Sequence, residues 1–172
     1  LAGGDAGQRL EMTRLAAAPC PAFQVSDVEL QRSGPSYTID TIDFFRKRMS
    51  GEDLLVLIVG LDAVLEIDSW KSYRKLLQTV PLIVMARPGT TTADCWKRLA
   101  DFLKNRISDA YRYEKSDGSF RHPSFQAVYP YQVPLLDISS TRIRHLRKAG
   151  RSVRFLLPET VHDYIVEGGL YE

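Results

Sequence analysis

Residues 53–60 read DLLVLIVG. Leu54 to Val59 form an unbroken apolar run that starts after an aspartate and ends at a glycine. So short a run, without polar alternation, predicts a strand buried on both faces, as in parallel sheets. The next stretch, LDAVLEIDSWKSYRKLLQTV, has a helical pattern interrupted near Asp68 to Trp70. PLIVMARPG (81–89) then repeats the strand-and-turn pattern, and Ala93 to Ile107 reads as a further helix. Strands alternating with helices predict an α/β fold with a mostly parallel sheet and flanking helices. Ligands of such sheets gather at the C-terminal ends of the strands. Three stretches fall there: Gly60–Asp62, Arg87–Gly89 and Ser139–Arg144.

Toward the N-terminus, Gln8 to Ala17 reads as a helix. AFQVSDVEL (22–30) reads as a short strand broken at Asp27. RSGPSYTID (32–40) is a turn leading into a helix, with Ser36 or Thr38 available as cap. Ile39, Ile42, Phe45 and Met49 give that helix an apolar face. Toward the C-terminus, the polar segment from Ser108 to His122 contains KSDGS and reads as a mobile insertion. FQAVYP and VPLLDIS read as two more strands. A helix starts at Ser140 or Thr141 and fades at Gly150. The last helix is bracketed by Pro158 and Gly168–Gly169.

A length of 172 residues favours one domain, residues 1–172, with a substantial core. Lys plus Arg number 23 against 21 Asp plus Glu, a balance that gives no reason to expect a nucleic-acid partner. Cys20 and Cys95 are far apart and lie in no paired motif, so two separate buried thiols are expected. His122, His145 and His162 are scattered without metal-ligand spacing, and no zinc site is expected. No apolar stretch approaches the roughly 18 residues of a membrane span. The opening LAGGDAGQRLEM lacks the basic and apolar regions of a signal peptide and an initiator Met, so the chain is expected to begin in mid-domain.

The densest chemistry lies in ISSTRIR (138–144). An apolar stretch delivers Ser139 and Ser140 to a helix start, where free amides and the helix dipole favour an anion. Arg144, about one turn in, adds a fork suited to phosphate oxygens. An ordinary N-cap with a solvated basic face fits the same spacing. Gly60 admits close approach to the backbone, and Asp62 stands where a sugar hydroxyl could bind; a tight turn capped by Asp62 is the plainer alternative. Trp70, an aromatic at a break between helices, could stack a ligand ring; a core anchor is the commoner role of such a residue. Arg87 could contact a phosphate or face solvent.

Taken in order, GPSYTIDT, IVGLDAVLEIDSWK, LIVMARPG, ISSTRIR and LLPETVHDYIVEGGLY resemble the bacterial nicotinate-nucleotide adenylyltransferases, from about Gln8 to Glu172. ISSTRIR is shared with the wider nucleotidyltransferase superfamily; GPSYT and DSWK are narrower. The resemblance implies a Rossmann-like, nucleotidyltransferase-type domain. It implies adenylyl transfer from ATP, with Mg²⁺ arriving on ATP, to nicotinate mononucleotide, giving deamido-NAD and pyrophosphate in the cytoplasm. It implies that Ser139, Ser140, Thr141 and Arg144 hold ATP phosphates and that Gly60 and Asp62 approach a nucleotide sugar. Trp70 would stack on the nicotinate ring, with the Lys71 amide near its carboxylate. Tyr37, Thr38 and Arg87 would complete the mononucleotide pocket.

The family's opening motif, G-x-F-[DN]-P-x-H-x-G-H, does not occur in this sequence, and none of the three histidines has its spacing. The expectation is therefore a domain that is N-terminally incomplete, without the family's first strand and helix and with sheet edges left open beside Leu54–Val59 and Leu82–Ala86. Two other readings stay open: a nucleotide-binding remnant that no longer transfers, and a related transferase with another phosphorylated acceptor. The sequence leaves homo-oligomerisation undecided.

Overall fold

The structure is a computed structural model and describes residues 5–86, 92–134, 136 and 138–172. It divides into two compact units, Pro35–Leu135 and the combination of Leu1–Gly34 with Leu136–Glu172.

The Pro35–Leu135 unit is built on a five-stranded sheet of order β1-β2-β5-β4-β3. β1 (Leu57–Gly60), β2 (Leu82–Ala86) and β5 (Val128–Gln132) run parallel, with Leu57 opposite Leu82 and Leu82 opposite Val128. β3 (Arg112–Glu114) and β4 (Ser119–Arg121) add an antiparallel hairpin through Phe120 opposite Val128. Side chains of β2 alternate, and Leu82, Val84 and Ala86 are buried. Helices bring matching apolar faces: Ile39 and Ile42 from α2 (Thr38–Arg46), Leu76 and Leu77 from α4 (Tyr73–Thr79), and Cys95, Leu99 and Phe102 from α5 (Thr92–Phe102). Burying each such side chain is worth about 1.5–3 kcal/mol before entropy is counted. Between β1 and α4 lie α3 (Leu61–Val64) and a 3₁₀ turn (Ile67–Ser69), so the expected break near Asp68–Trp70 is present.

In the other unit, α1 (Ala6–Ala17) starts with a capping box. Asp5 Oδ1 accepts from the Gln8 amide at 2.7 Å and Gln8 Oε1 accepts from the Asp5 amide at 2.9 Å. α6 (Ser140–Lys148) and α7 (Glu159–Glu167) bury Ile143, Val161 and Ile165. Thr160 Oγ1 of α7 donates to the Leu15 carbonyl of α1 at 3.3 Å.

Several expectations are corrected. DLLVLIVG is strand only from Leu57, and among the described residues β1 pairs on one side alone. Nor is it buried on both faces: Val59 is buried, whereas Ile58, on the opposite face, is 59% exposed. Leu82–Ala86, expected beside an open edge, is paired on both sides. AFQVSDVEL is not a strand. Turn chemistry prevails there, with the amides of Leu30 and Gln31 both donating to the Asp27 carbonyl at 2.8 and 3.1 Å. The described residues of VPLLDIS are likewise not in a strand; Pro134 has no amide to donate, and the Ile138 amide turns back to the Leu136 carbonyl at 2.8 Å. The polar segment after Ser108 is a hairpin rather than a mobile insertion, turning at Gly118 with φ +67°. Cys95 is buried as expected, whereas Cys20 is half-buried.

Candidate functional site

The ISSTRIR segment folds as a capped helix start. Ser139 is the N-cap, and its Oγ accepts from the Arg142 amide at 3.2 Å. One of its lone pairs is thus spent on the helix, while its O–H remains a donor. Ser140 and Thr141, as first residues of α6, have amides without intrahelical acceptors. Arg144 Nη2 lies 3.3 Å from Thr141 Oγ1, which holds the guanidinium along the first turn. Ser140 and Arg144 line a cavity of about 430 Å³ together with Arg9, Met12, Ile143 and Val161. Arg147 takes no part in this cluster: its guanidinium binds Glu172 Oε1 at 2.6 Å. The arrangement is both a cap and an anion-ready turn, because the cap occupies one amide and leaves the two before it.

In the Pro35–Leu135 unit, Tyr37, Thr38, Trp70 and Lys71 converge on one cavity of about 290 Å³, with Ser36 and Ser69. Two elements build it. α2 starts at Thr38 with Tyr37 as N-cap, and no side chain of that residue caps the helix. Trp70 closes the 3₁₀ turn in extended conformation, and Ser72 then adopts φ +52° to start α4. A left-handed serine costs about 1 kcal/mol or more and fixes where the Trp70–Lys71 backbone points. Lys71 Nζ sits 4.3 Å from the Tyr37 ring centroid and 3.0 Å from Asp40 Oδ2. Its ammonium thereby leans on the aromatic wall of the cavity. Trp70 is half-buried against the core, so it is anchored on one side and faces the cavity on the other.

Gly60 and Asp62 meet in a third cleft of about 380 Å³, at the C-terminal ends of β1 and β2. Gly60 is the N-cap of α3 with ordinary φ and ψ, so no strain demands glycine there. A Cβ on it would meet nothing within 4 Å, so what the glycine leaves is open space. Asp62 lies inside α3 rather than at its cap, so its carboxylate does not serve as the N-cap that the turn reading requires. Arg87 lies outside the described residues.

His122 escaped the sequence reading. Its Nδ1 accepts from the amides of Ser124 and Phe125 at 3.0 and 3.1 Å, so the proton resides on Nε2, which donates to Ser108 Oγ at 3.0 Å. The ring stacks on Phe125 at 4.3 Å, and burial pushes its pKa below the usual value. The nitrogen that faces Ser108 is the one that carries the proton, so the ring is no general base for that hydroxyl. This histidine ties the segment before the hairpin, at Ser108, to the one after it, at Ser124 and Phe125. Its signal was the HPS turn that follows a D-G pair. Burial also raises the Tyr111 phenol, whose hydroxyl has no partner among the described residues. Among the described residues, no group of three or more His, Cys, Asp or Glu could hold a metal ion. Nor, among the described residues, is any helix long and apolar enough to cross a membrane.

Parallel strands whose C-terminal ends open on a cleft, and a helix start with free amides and an arginine, belong to the class of α/β proteins that bind phosphorylated ligands. The cytidylyltransferase-like family model matches residues 4–146. A probable nicotinate-nucleotide adenylyltransferase of Citrifermentans bemidjiense is 41% identical over 163 residues, covering 95% of this chain and 73% of the relative. One from Yersinia enterocolitica is 40% identical over 167 residues, covering 97% and 73%. A solved Plasmodium falciparum nicotinic acid mononucleotide adenylyltransferase complexed with NaAD superposes with TM-score 0.64 at 17% identity, covering 99% of this chain and 76% of that one. The same enzyme complexed with APC gives 0.63 at 17% identity, covering 97% and 76%. At that identity the likeness shows the fold, which is Rossmann-like. The chain belongs to the nicotinate-nucleotide adenylyltransferases within the cytidylyltransferase-like family.

Proposed function

We propose that the protein transfers the adenylyl group of ATP to nicotinate mononucleotide, releasing pyrophosphate and forming deamido-NAD for NAD biosynthesis. The observation that carries this reading is the convergence of Tyr37, Thr38, Trp70 and Lys71 on one cavity. An aromatic face, a hydroxyl and backbone amides suit a flat ring bearing a carboxylate. The indole of Trp70 stacks on the nicotinate ring, and the Lys71 amide binds its carboxylate. Arg87 contributes to the mononucleotide phosphate. Asp62 accepts from a nucleotide sugar hydroxyl beside Gly60. The amides and hydroxyls of Ser139, Ser140 and Thr141, with the Arg144 guanidinium, hold ATP phosphates.

The chemistry needs no covalent nucleophile from the protein. A phosphate oxygen of the mononucleotide attacks the α-phosphorus in line, and the bond to the bridging oxygen of the β-phosphate breaks. Alignment and neutralisation of charge on the leaving pyrophosphate supply the acceleration. A divalent metal belongs to such ATP chemistry; Mg²⁺ enters as part of the nucleotide substrate, largely water-bound. The setting is cytoplasmic, where both nucleotides occur.

Pyrophosphate release with ATP and a panel of acceptors tests the reading. Release with nicotinate mononucleotide well above that with nicotinamide mononucleotide or a phosphopantetheine supports it. Nucleotide binding without release under any acceptor would instead favour a binding protein. The engagement of His122 and the placement of His145 and His162 in α6 and α7, outside the lining of the Tyr37–Lys71 cavity, make that comparison informative.

A further inference from the structure

We propose that Arg98 is a phosphate-binding residue of the cleft that Asp62 lines, taking the phosphate of the nucleotide whose sugar hydroxyls reach Asp62. The inference rests on the nucleotide-transfer reading above and adds to it a cation that none of the motifs contains.

Position comes first. The cleft of about 380 Å³ is bounded by Gly60 and Asp62 after β1, Met85 of β2, and Cys95 and Arg98 of α5. Ends of adjacent parallel strands are where α/β sheets receive ligands. The rotation of α5 is fixed by Cys95, Leu99 and Phe102, which all bury against the sheet. Arg98, three residues after Cys95, falls at the margin of that buried face and lines the cleft.

Partnering comes second. Three other aspartates of this unit are engaged: Asp40 with Lys71, Asp43 with Lys75 and Asp68 with Arg106. Among the described residues, no hydrogen bond or ion pair engages either Asp62 or Arg98, although both line the same cleft. The cleft therefore presents a donor fork and an acceptor at once, neither spent on the other. A bare polyphosphate would leave Asp62 opposed to its charge, and a bare nucleoside would leave Arg98 unmet. A phosphorylated sugar answers both, giving hydroxyl donors to the carboxylate and oxygens to the guanidinium. The open space at Gly60 leaves room for the sugar.

Titration calorimetry of ATP and of nicotinate mononucleotide tests the assignment on wild type, Arg98→Ala, Arg98→Lys and Asp62→Asn, with adenosine and nicotinate riboside as phosphate-free probes. Arg98→Ala should weaken the same nucleotide that Asp62→Asn weakens, by about tenfold or more at low salt. Arg98→Lys should recover part of the loss, and the loss should shrink as salt rises. Affinity of the Arg98 variants for the phosphate-free probes should not change, whereas Asp62→Asn should weaken the matching one. Unaltered affinity of Arg98→Ala for both nucleotides, with an unchanged melt, overturns the proposal, as does an equal loss on a phosphate-free probe. A wild-type protein that binds nucleotides but releases no pyrophosphate sinks the transfer reading and leaves Arg98 standing. One that binds neither nucleotide overturns both.

Discussion

Arg144 and Trp70 are the two side chains on which the proposed substrate contacts turn. Arg144 lies along the first turn of α6 beside Thr141. Its replacement by alanine should weaken ATP by roughly 1.5–3 kcal/mol and nicotinate mononucleotide much less, as read by calorimetry at matched salt. Equal losses on both nucleotides would argue against a phosphate role. Trp70 should lose fluorescence when nicotinate mononucleotide is added, and the signal should persist in Trp96→Phe, because Trp96 packs against the core and does not line the cavity. A signal that follows Trp96 would make Trp70 a core anchor only. Both residues stand out in the sequence as candidates, since a serine-rich cap followed by arginines and an aromatic at a helix break each have a distinctive local pattern. Arg98 was not, because within α5 it looks like any solvated cation; only the rotation of the helix brings it to the cleft.

At the scale of elements, the hairpin of β3 and β4 shows what the pattern hid. KSDGS is polar, and polarity suggested mobility, yet Asp117–Gly118 is hairpin chemistry. Asp117 accepts from the Ser119 hydroxyl and amide and pairs with Arg121; the Ser119 hydroxyl first, and then Arg121, hold its carboxyl below the usual range. The segments on either side of the hairpin are tied together by His122, whose protonation would break the bonds from the Ser124 and Phe125 amides. Its folded pKa is depressed by burial, so the unfolded chain binds the proton more readily. The stabilisation is therefore present above the unfolded value of about 6.5 and is lost as pH falls through the lower folded value. Urea midpoints should decline between pH 8 and pH 5.5 in wild type and decline less in His122→Asn. Parallel slopes would remove His122 from the cause. The described residues of VPLLDIS, and the AFQVSDVEL segment, failed as strands for a related reason: apolar residues supply a face, but a strand also needs a partner for its amides, and local composition does not reveal one.

At the scale of the whole molecule, strand–helix alternation was enough to read the parallel β1-β2-β5 core. Sheet order was not legible, since β5 joins β2 only after the β3–β4 excursion. Among the described residues β1 has one free side, and beside it Leu54 and Ile58 are exposed. Such an edge invites pairing with another chain. Ile58→Lys should reduce concentration-dependent self-association measured by light scattering; scattering unchanged by the substitution would place any association elsewhere. The central claim is chemical, and mass spectrometry of the product tests it most directly. Incubated with ATP, magnesium and nicotinate mononucleotide, the protein should yield deamido-NAD in amounts matching the pyrophosphate released. Hydrolysis of ATP without deamido-NAD, or no reaction while both nucleotides bind, would contradict it.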